Sequence, residues 1–230
     1  MIEIVPAILP KNYEDLKNKI SLVRGLVPIV QVDICDGIFV PSRTWPFESS
    51  SPDSYFTRIL NEEEGLPFWQ EIDFEIDLMV ADVVENLDIY TKLGAKRIVF
   101  HIEAIKNLEE FRDFLEGIDP YVRETMQIGM AINPTTPLEQ LFPLISHVDF
   151  VQCMAIEKVG YQGEPFYEGV IDNIKKLKEM YPEIIISIDG GVNLETGARL
   201  ADAGADRLVV GSAIFNTDDI IDTIENFKNI

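Results

Sequence analysis

Short runs of Ile, Val and Phe alternate eight times with longer stretches in which apolar residues recur at every third or fourth position. The short runs predict strands near 2–8, 28–34, 72–79, 97–102, 127–132, 148–154, 184–189 and 207–210. The longer stretches predict amphipathic helices near 12–25, 53–63, 82–93, 107–116, 137–146, 167–180, 193–203 and 217–228. Runs such as IIISI and RLVV are apolar at nearly every position, as expected of parallel strands covered on both faces. Asn193 stands before LETGARLADA and Gly204 follows it, a helix start and a helix stop. The same helix–Gly–Ala–strand order recurs at Gly94 in LDIYTKLGAKRIVF. Strict strand–helix alternation predicts an α/β protein with a parallel sheet. Eight units predict closure into a (β/α)8 TIM barrel in preference to an open doubly wound sheet.

The length of 230 residues agrees, being close to the ~250 typical of one such barrel, and residues 1–230 are expected to form a single barrel domain. One segment breaks the rhythm. Residues 43–71 are longer than an ordinary connection and hold Trp45, Phe47, Tyr55, Phe56, Phe68 and Trp69. They read either as a cover for the barrel rim or as a lid or oligomer contact, which leaves a homo-oligomer open.

Charge narrows the partners. With 40 acidic against 19 basic residues the net charge is -21, which argues against nucleic-acid backbones and anionic membrane surfaces. It does not exclude a phosphorylated small molecule, because backbone N–H groups can hold an anion locally. Cys35 and Cys153 lie in or beside apolar strands without metal-ligand spacing and read as reduced thiols of the core or rim. MIEIVPAILP enters a strand directly and lacks the pattern of a signal peptide, and no apolar run reaches the ~18 residues of a membrane span, so a cytoplasmic location is expected.

Candidate chemistry comes from strand parity. Asp33 ends IVQVD, Asp77 ends FEID and Asp189 ends IIISID. Side chains alternate faces along a strand, so Gln31 goes with Asp33, Glu75 with Asp77 and Ser187 with Asp189, with the apolar neighbours opposite. In one parallel sheet these carboxylates would gather at the C-terminal edge, where barrels carry their chemistry. The same reasoning adds Met79, His101 and Met154 to that mouth. Asp33 and Asp189 on strands 2 and 7 would face each other, an arrangement suited to taking a proton from one face of a planar intermediate and returning one to the other. A single strand-end aspartate is more simply a cap or loop acceptor; three on the inward parity point to a site. His101 reads equally as a substrate-lining or a hydrogen-bonded rim residue, and His147, at a helix-to-strand turn, as solvated.

Glycine-bearing loops follow the late strands: VGYQGEPF with Gly163, DGGVN with Gly191, and GSAIF with Gly211 and Ser212. Glycine lets a backbone approach an oxyanion closely, and the loops after strands 7 and 8 commonly form the phosphate site of such barrels.

With these residues in view, the chain resembles the ribulose-phosphate 3-epimerase family. The matching stretches are PAIL at 6–9, VDICDGIFVP at 32–41, DLMV at 77–80, LGAKRIVFHIEA at 93–104, INPTTPLEQL at 132–141, GYQGEPF at 160–166, IDGGVN at 188–193 and AGADRLVVGSAIF at 203–215. The resemblance implies a (β/α)8 barrel and a ketopentose 5-phosphate as substrate. It implies that Asp33 and Asp189 exchange the C3 proton through an enediolate held by a divalent metal. It places phosphate binding at Gly191, Gly211 and Ser212, and less directly at Gly163.

Departures from the family pattern matter as much. The family's metal site pairs two histidines with two aspartates; here the histidine positions are Gln31 and Asp77. A family serine after strand 1 is Pro10, a methionine is Cys35, and the strand-6 loop carries an extra residue with Gln162 where glycine is usual. The set Gln31, Asp33, Asp77 and Asp189 offers oxygen alone, which favours Mg²⁺ or Mn²⁺ over Zn²⁺, or no metal. Three functions compete: a sugar-phosphate epimerase, a non-catalytic or re-purposed sugar-phosphate binder, and another sugar-phosphate lyase or synthase on the same barrel. The lyase and synthase groups tend to carry a lysine beside the strand-3 aspartates, and LMVADVV has none.

Overall fold

The alternation along each strand divides the molecule into an inner layer rich in buried polar groups and an outer apolar layer. A computed structural model describes residues 2–49, 51 and 53–230. Its strands are β1 (Glu3–Ile8), β2 (Ile29–Cys35), β3 (Asp73–Met79), β4 (Arg97–His101), β5 (Gln127–Ile132), β6 (Phe150–Met154), β7 (Ile185–Asp189) and β8 (Arg207–Val210). All neighbours pair in parallel, and β1 pairs with both β2 and β8, so the sheet closes into an eight-stranded barrel. The expected architecture is therefore present.

Helices wrap the outside: α1 (Tyr13–Val23), α2 (Ser54–Leu60), α3 (Leu87–Thr91), α4 (Leu108–Glu116), α5 (Pro120–Thr125), α6 (Val170–Met180), α7 (Leu194–Ala203), α8 (Ser212–Phe215) and α9 (Ile220–Lys228). Helix α1 shows why the sequence adopts this form. Asn12 caps it by accepting from Asp15 N–H, and Leu16, Ile20 and Val23 form one buried stripe. Helix α7 starts at Asn193 as expected, there with a capping box completed by Thr196, and ends at Gly204 with a left-handed φ of 110°. The outward strand residues, among them Val30, Val32, Ile76 and Ile188, pack with these helix stripes into the main core. No helix among the described residues is long and apolar enough to cross a membrane.

Two expected helices differ. Residues 137–146 form only the single 3-10 turns Leu138–Gln140 and Ile145–His147, because Pro143 in their middle has no N–H to donate and clashes with a continuing helix. The 82–93 helix shortens to α3, preceded by turns that begin at Asp82 with a left-handed φ of 51°. The short helices α5 and α8 are additional; Asp119 capping α5 with Pro120 behind it was a readable start signal.

The N-terminal end of the barrel is closed by charge. Arg97 donates to Glu3 at 2.9 Å and to Glu75 at 3.4 Å, and Arg207 pairs with Glu3 at 2.9 Å. Arg207 also lies 4.8 Å from the centre of the Phe150 ring. That ring fills the space beside Gly129, where an added Cβ would come within 2.3 Å of it. Burial pushes Glu75 up to about 7, although Arg97 and Arg207 pull it back.

The 43–71 excursion packs rather than projects at its start. Trp45 is buried, lies 5.8 Å from Tyr13 and 5.6 Å from Phe56 between ring centres, and donates to Asp53 at 3.0 Å. Trp69 near its end is 59% exposed.

Candidate active site

Strand closure brings the three aspartates to one point. Asp33 and Asp77 are direct partners across β2 and β3, and Asp189 lies level with Met154 across β6 and β7. An oxygen from each carboxylate lies within 4.8 Å of the others, so together they could hold a metal ion. Asp33 is buried, and Asp189 is partly open to the mouth.

Amides stitch the carboxylates together. Gln31 Nε2 donates to Asp33 Oδ1 at 2.8 Å and to Asp189 Oδ2 at 3.0 Å. Gln152 Nε2 donates to Asp77 Oδ2 at 3.1 Å and to Asp189 Oδ2 at 3.4 Å. His101 Nε2 lies 2.8 Å from Asp77 Oδ1. The second oxygens, Asp33 Oδ2 and Asp189 Oδ1, carry none of these bonds.

This crowding sets the proton affinities. Burial first, then the charges of Asp189 and Asp77, push Asp33 well above the carboxylate range, opposed by the Gln31 hydrogen bond. Burial and Asp77 push Asp189 up to about 7, again opposed by Gln31. Burial works against a charged His101, but the charge and hydrogen bond of Asp77 outweigh it, and its affinity is raised.

The strand ends are held from outside the barrel. Thr44 Oγ1 donates to the Asp33 carbonyl at 2.7 Å and accepts from Cys35 N–H at 2.8 Å. Asp36 accepts from Ile38 and Phe39 N–H with one oxygen and from Ala81 N–H, 2.7 Å away, with the other, tying the loop after β2 to the end of β3. The first residues of the excursion therefore brace Asp33.

Above the aspartates opens a cleft of about 510 Å³, part of it continuous with solvent. Asp33, Met79, Met154, Asp189, Gly163, Gly191, Gly211 and Ser212 all line it. Gln31, Asp77 and His101 do not; they are fully buried, and His101 lies under Phe39 with ring centres 5.4 Å apart. His147 lies outside the site, 3.7 Å from Glu116. Among the described residues, no lysine or arginine lines the cleft. Gly191 has a φ of 64°, and a Cβ there would meet the Phe166 backbone at 2.9 Å, so only glycine fits. At Gly211 a Cβ would meet the Gln162 amide at 2.7 Å. That amide donates to the Ala7 carbonyl at 3.3 Å, so Gln162 reaches across the cleft from the strand-6 loop to β1.

Parity reasoning missed Gln152. It shares Met154's face two residues earlier, a signal equal to the one that singled out Gln31, but it stands mid-strand and away from any loop.

The donor set decides which ions suit the site. The one imidazole nearby directs Nε2 at Asp77, leaving no imidazole or thiolate among the described residues aimed at a common point with the carboxylates, a donor set that favours hard cations over zinc or iron. The carboxylate oxygens suit a hard cation in kind, but those facing one another already accept N–H donors.

Comparisons with known proteins agree with the geometry. A profile described as the ribulose-phosphate 3 epimerase family matches residues 3–215. The chain is 28% identical to a ribulose-phosphate 3-epimerase of Eremothecium gossypii, covering 98% of this chain and 91% of the relative. It is 31% identical to one of Methanocaldococcus jannaschii, covering 99% and 90%. A cytoplasmic isoform of rice is 27% identical over 93% and 87%. Among solved structures, a ligand complex of KGPDC from Streptococcus mutans superposes with a TM-score of 0.72 at 13% identity, covering 99% and 96%. A 3-hexulose-6-phosphate synthase from Salmonella typhimurium gives 0.67 at 14%, covering 99% and 97%; at such identities the likeness is one of fold.

Proposed function

The chain belongs to the ribulose-phosphate 3-epimerase family, and on that footing we propose that it epimerises a ketopentose 5-phosphate at C3, interconverting ribulose 5-phosphate and xylulose 5-phosphate. The observation that carries the reading is the pair Asp33 and Asp189 on the cleft floor, bridged by one amide and each with a second oxygen left for substrate. Their raised proton affinities allow one to be a carboxylate while the other is a carboxylic acid near neutral pH. The carboxylate takes the C3 proton, the C3–H electron pair passes into an enediolate, and the acid delivers its proton to the opposite face. The two groups finish with exchanged protonation states, so the reverse reaction runs through the same pair.

Backbone N–H groups around Gly191, Gly211 and Ser212, with Gly163 at the rim, are the proposed phosphate holders. The lack of a basic side chain among the described residues of the cleft supports recognition by backbone. Met79 and Met154 supply apolar walls beside the sugar. His101 acts behind Asp77 in this reading. Were a cation taken up, Asp33, Asp77 and Asp189 would hold it, Mg²⁺ or Mn²⁺ ahead of Zn²⁺, and it would polarise the substrate's oxygens. The proposal includes a cytoplasmic location.

A second reading, sugar-phosphate binding without turnover, draws on the replacement of two family histidines by Gln31 and Asp77. Incubating ribulose 5-phosphate with the protein in D₂O separates the two. Deuterium at C3 and xylulose 5-phosphate in solution are expected. Saturable binding of the sugar phosphate with unlabelled C3 would overturn the enzymatic reading.

A further inference from the structure

Five hydrogen-bond contacts converge on the facing oxygens of the aspartates, from three side chains that are all fully buried: Gln31, Gln152 and His101. Asp189 Oδ2 receives two of them, from Gln31 at 3.0 Å and from Gln152 at 3.4 Å. A divalent ion draws such oxygens to ~2.0–2.6 Å and needs their lone pairs free. Here Asp33 Oδ1, Asp77 Oδ2 and Asp189 Oδ2 each already accept an amide N–H, and Asp77 Oδ1 lies against the His101 ring nitrogen.

The sense of the amides carries the argument. Turning Gln31 about its terminal bond would set Oε1, a pure acceptor, against two carboxylate oxygens. A metal ligand would have to be that oxygen, because an amide nitrogen's lone pair is delocalised. Instead Gln31 Oε1 and Gln152 Oε1 are buried without a partner among the described residues. Leaving a buried acceptor unpaired is costly. The fold tolerates two such oxygens and keeps both nitrogens on the carboxylates.

We infer that Gln31 and Gln152 stand in for a divalent cation: as positioning residues they hold Asp33, Asp77 and Asp189 together by N–H donation, and the site works without a bound metal. Proton transfer at C3 balances without one. One carboxyl gains the proton the substrate loses, the other loses the proton the substrate gains, and no electrons leave the system. The catalytic part of the inference rests on the epimerase reading; the metal-binding part does not.

The test begins with protein dialysed against EDTA. Mn²⁺ is titrated in while free ion is counted by electron paramagnetic resonance, and Mg²⁺ and Zn²⁺ are followed by calorimetry. No saturable site tighter than about 1 mM is expected. Epimerisation in EDTA is expected to stay within about two-fold of that with excess Mn²⁺. Gln31→Glu exchanges the bridging donor for an acceptor of equal length, and is expected to bind Mn²⁺ at least about ten-fold more tightly than the unmodified protein. One Mn²⁺ per unmodified chain at micromolar affinity would overturn the inference, as would activity that vanishes in EDTA and returns with metal. Equal Mn²⁺ affinity in Gln31→Glu and the unmodified chain would overturn the role of Gln31. Absence of epimerisation under every condition would sink the functional reading while the Mn²⁺ titration still decides this one.

Discussion

Gln31 and Asp189 stand 158 positions apart, yet one amide hydrogen bond of 3.0 Å joins them, and the same nitrogen reaches Asp33 at 2.8 Å. The two proposed proton-transfer groups are thus spaced by a side chain from the sheet itself. That bond stabilises the charged form of both carboxylates. Replacing Gln31 with Leu removes the donor at similar volume. Both proton affinities should rise, moving the acid limb of the kcat/KM profile to higher pH, with kcat reduced by about ten-fold or more. A profile that keeps its acid limb would show that Gln31 does not tune the pair.

Removing either proton-transfer group should stop the reaction while leaving the cleft. Asp33→Asn and Asp189→Asn are each expected to lower kcat by a factor of about 10³ or more, with sugar-phosphate affinity within a few-fold. Measuring C3 deuterium exchange beside ligand binding checks both halves. A variant that keeps a tenth of the activity would remove its residue from the mechanism.

The same carboxylates should weaken the fold as pH rises. A buried acid whose folded proton affinity is raised binds more protons folded than unfolded between the two values, so its contribution is complete at low pH and lost on passing the folded value. For Glu75 and Asp189 that value is about 7. The urea midpoint should therefore fall progressively between about pH 4 and pH 7. Asp189→Asn should be more stable than its parent at pH 8 while losing activity. A pH-independent midpoint, or a variant no more stable than its parent at pH 8, would contradict this.

Two cleft glycines should respond differently to alanine. At Gly191 the added Cβ meets the Phe166 backbone at 2.9 Å in a left-handed conformation, and a loss of about 1–3 kcal/mol is expected. At Gly211 it meets only the far end of the Gln162 side chain, at 2.7 Å, which can swing away. Gly211→Ala should cost under about 1 kcal/mol of stability while freeing the bond from Gln162 to Ala7. Chemical denaturation of the two variants gives the comparison, and equal losses would refute it.

Restoring imidazoles should restore affinity for a softer ion. The double variant Gln31→His with Asp77→His is expected to bind zinc at least about 100-fold more tightly than its parent. Competition with a chromogenic chelator measures it, and unchanged affinity would show that ligand type is not what excludes zinc.

Much of this could be read before any coordinates. Period-two alternation put Gln31, Asp33, Asp77 and Asp189 on one face, and the barrel directs that face inward. Helix signals located α1 and α7 to within two residues at each end, because their caps are local. The weak places were local too: Pro143 lies inside the expected 137–146 helix, and one residue outweighed the surrounding pattern.

What the sequence determined by itself was therefore the strand order, the inward parity and the identity of the carboxylates, all set by periodicities a few residues long. Only the closed barrel decided what those carboxylates touch. Gln152 lies 75 positions from Asp77 and 37 from Asp189, and His101 lies 24 from Asp77, yet they share one hydrogen-bonded cluster. A strand's alternation states which way a side chain points. It does not state which of the inward groups from other strands will lie within 3 Å, since closure, register and the bulk of neighbours such as Phe150 set that jointly.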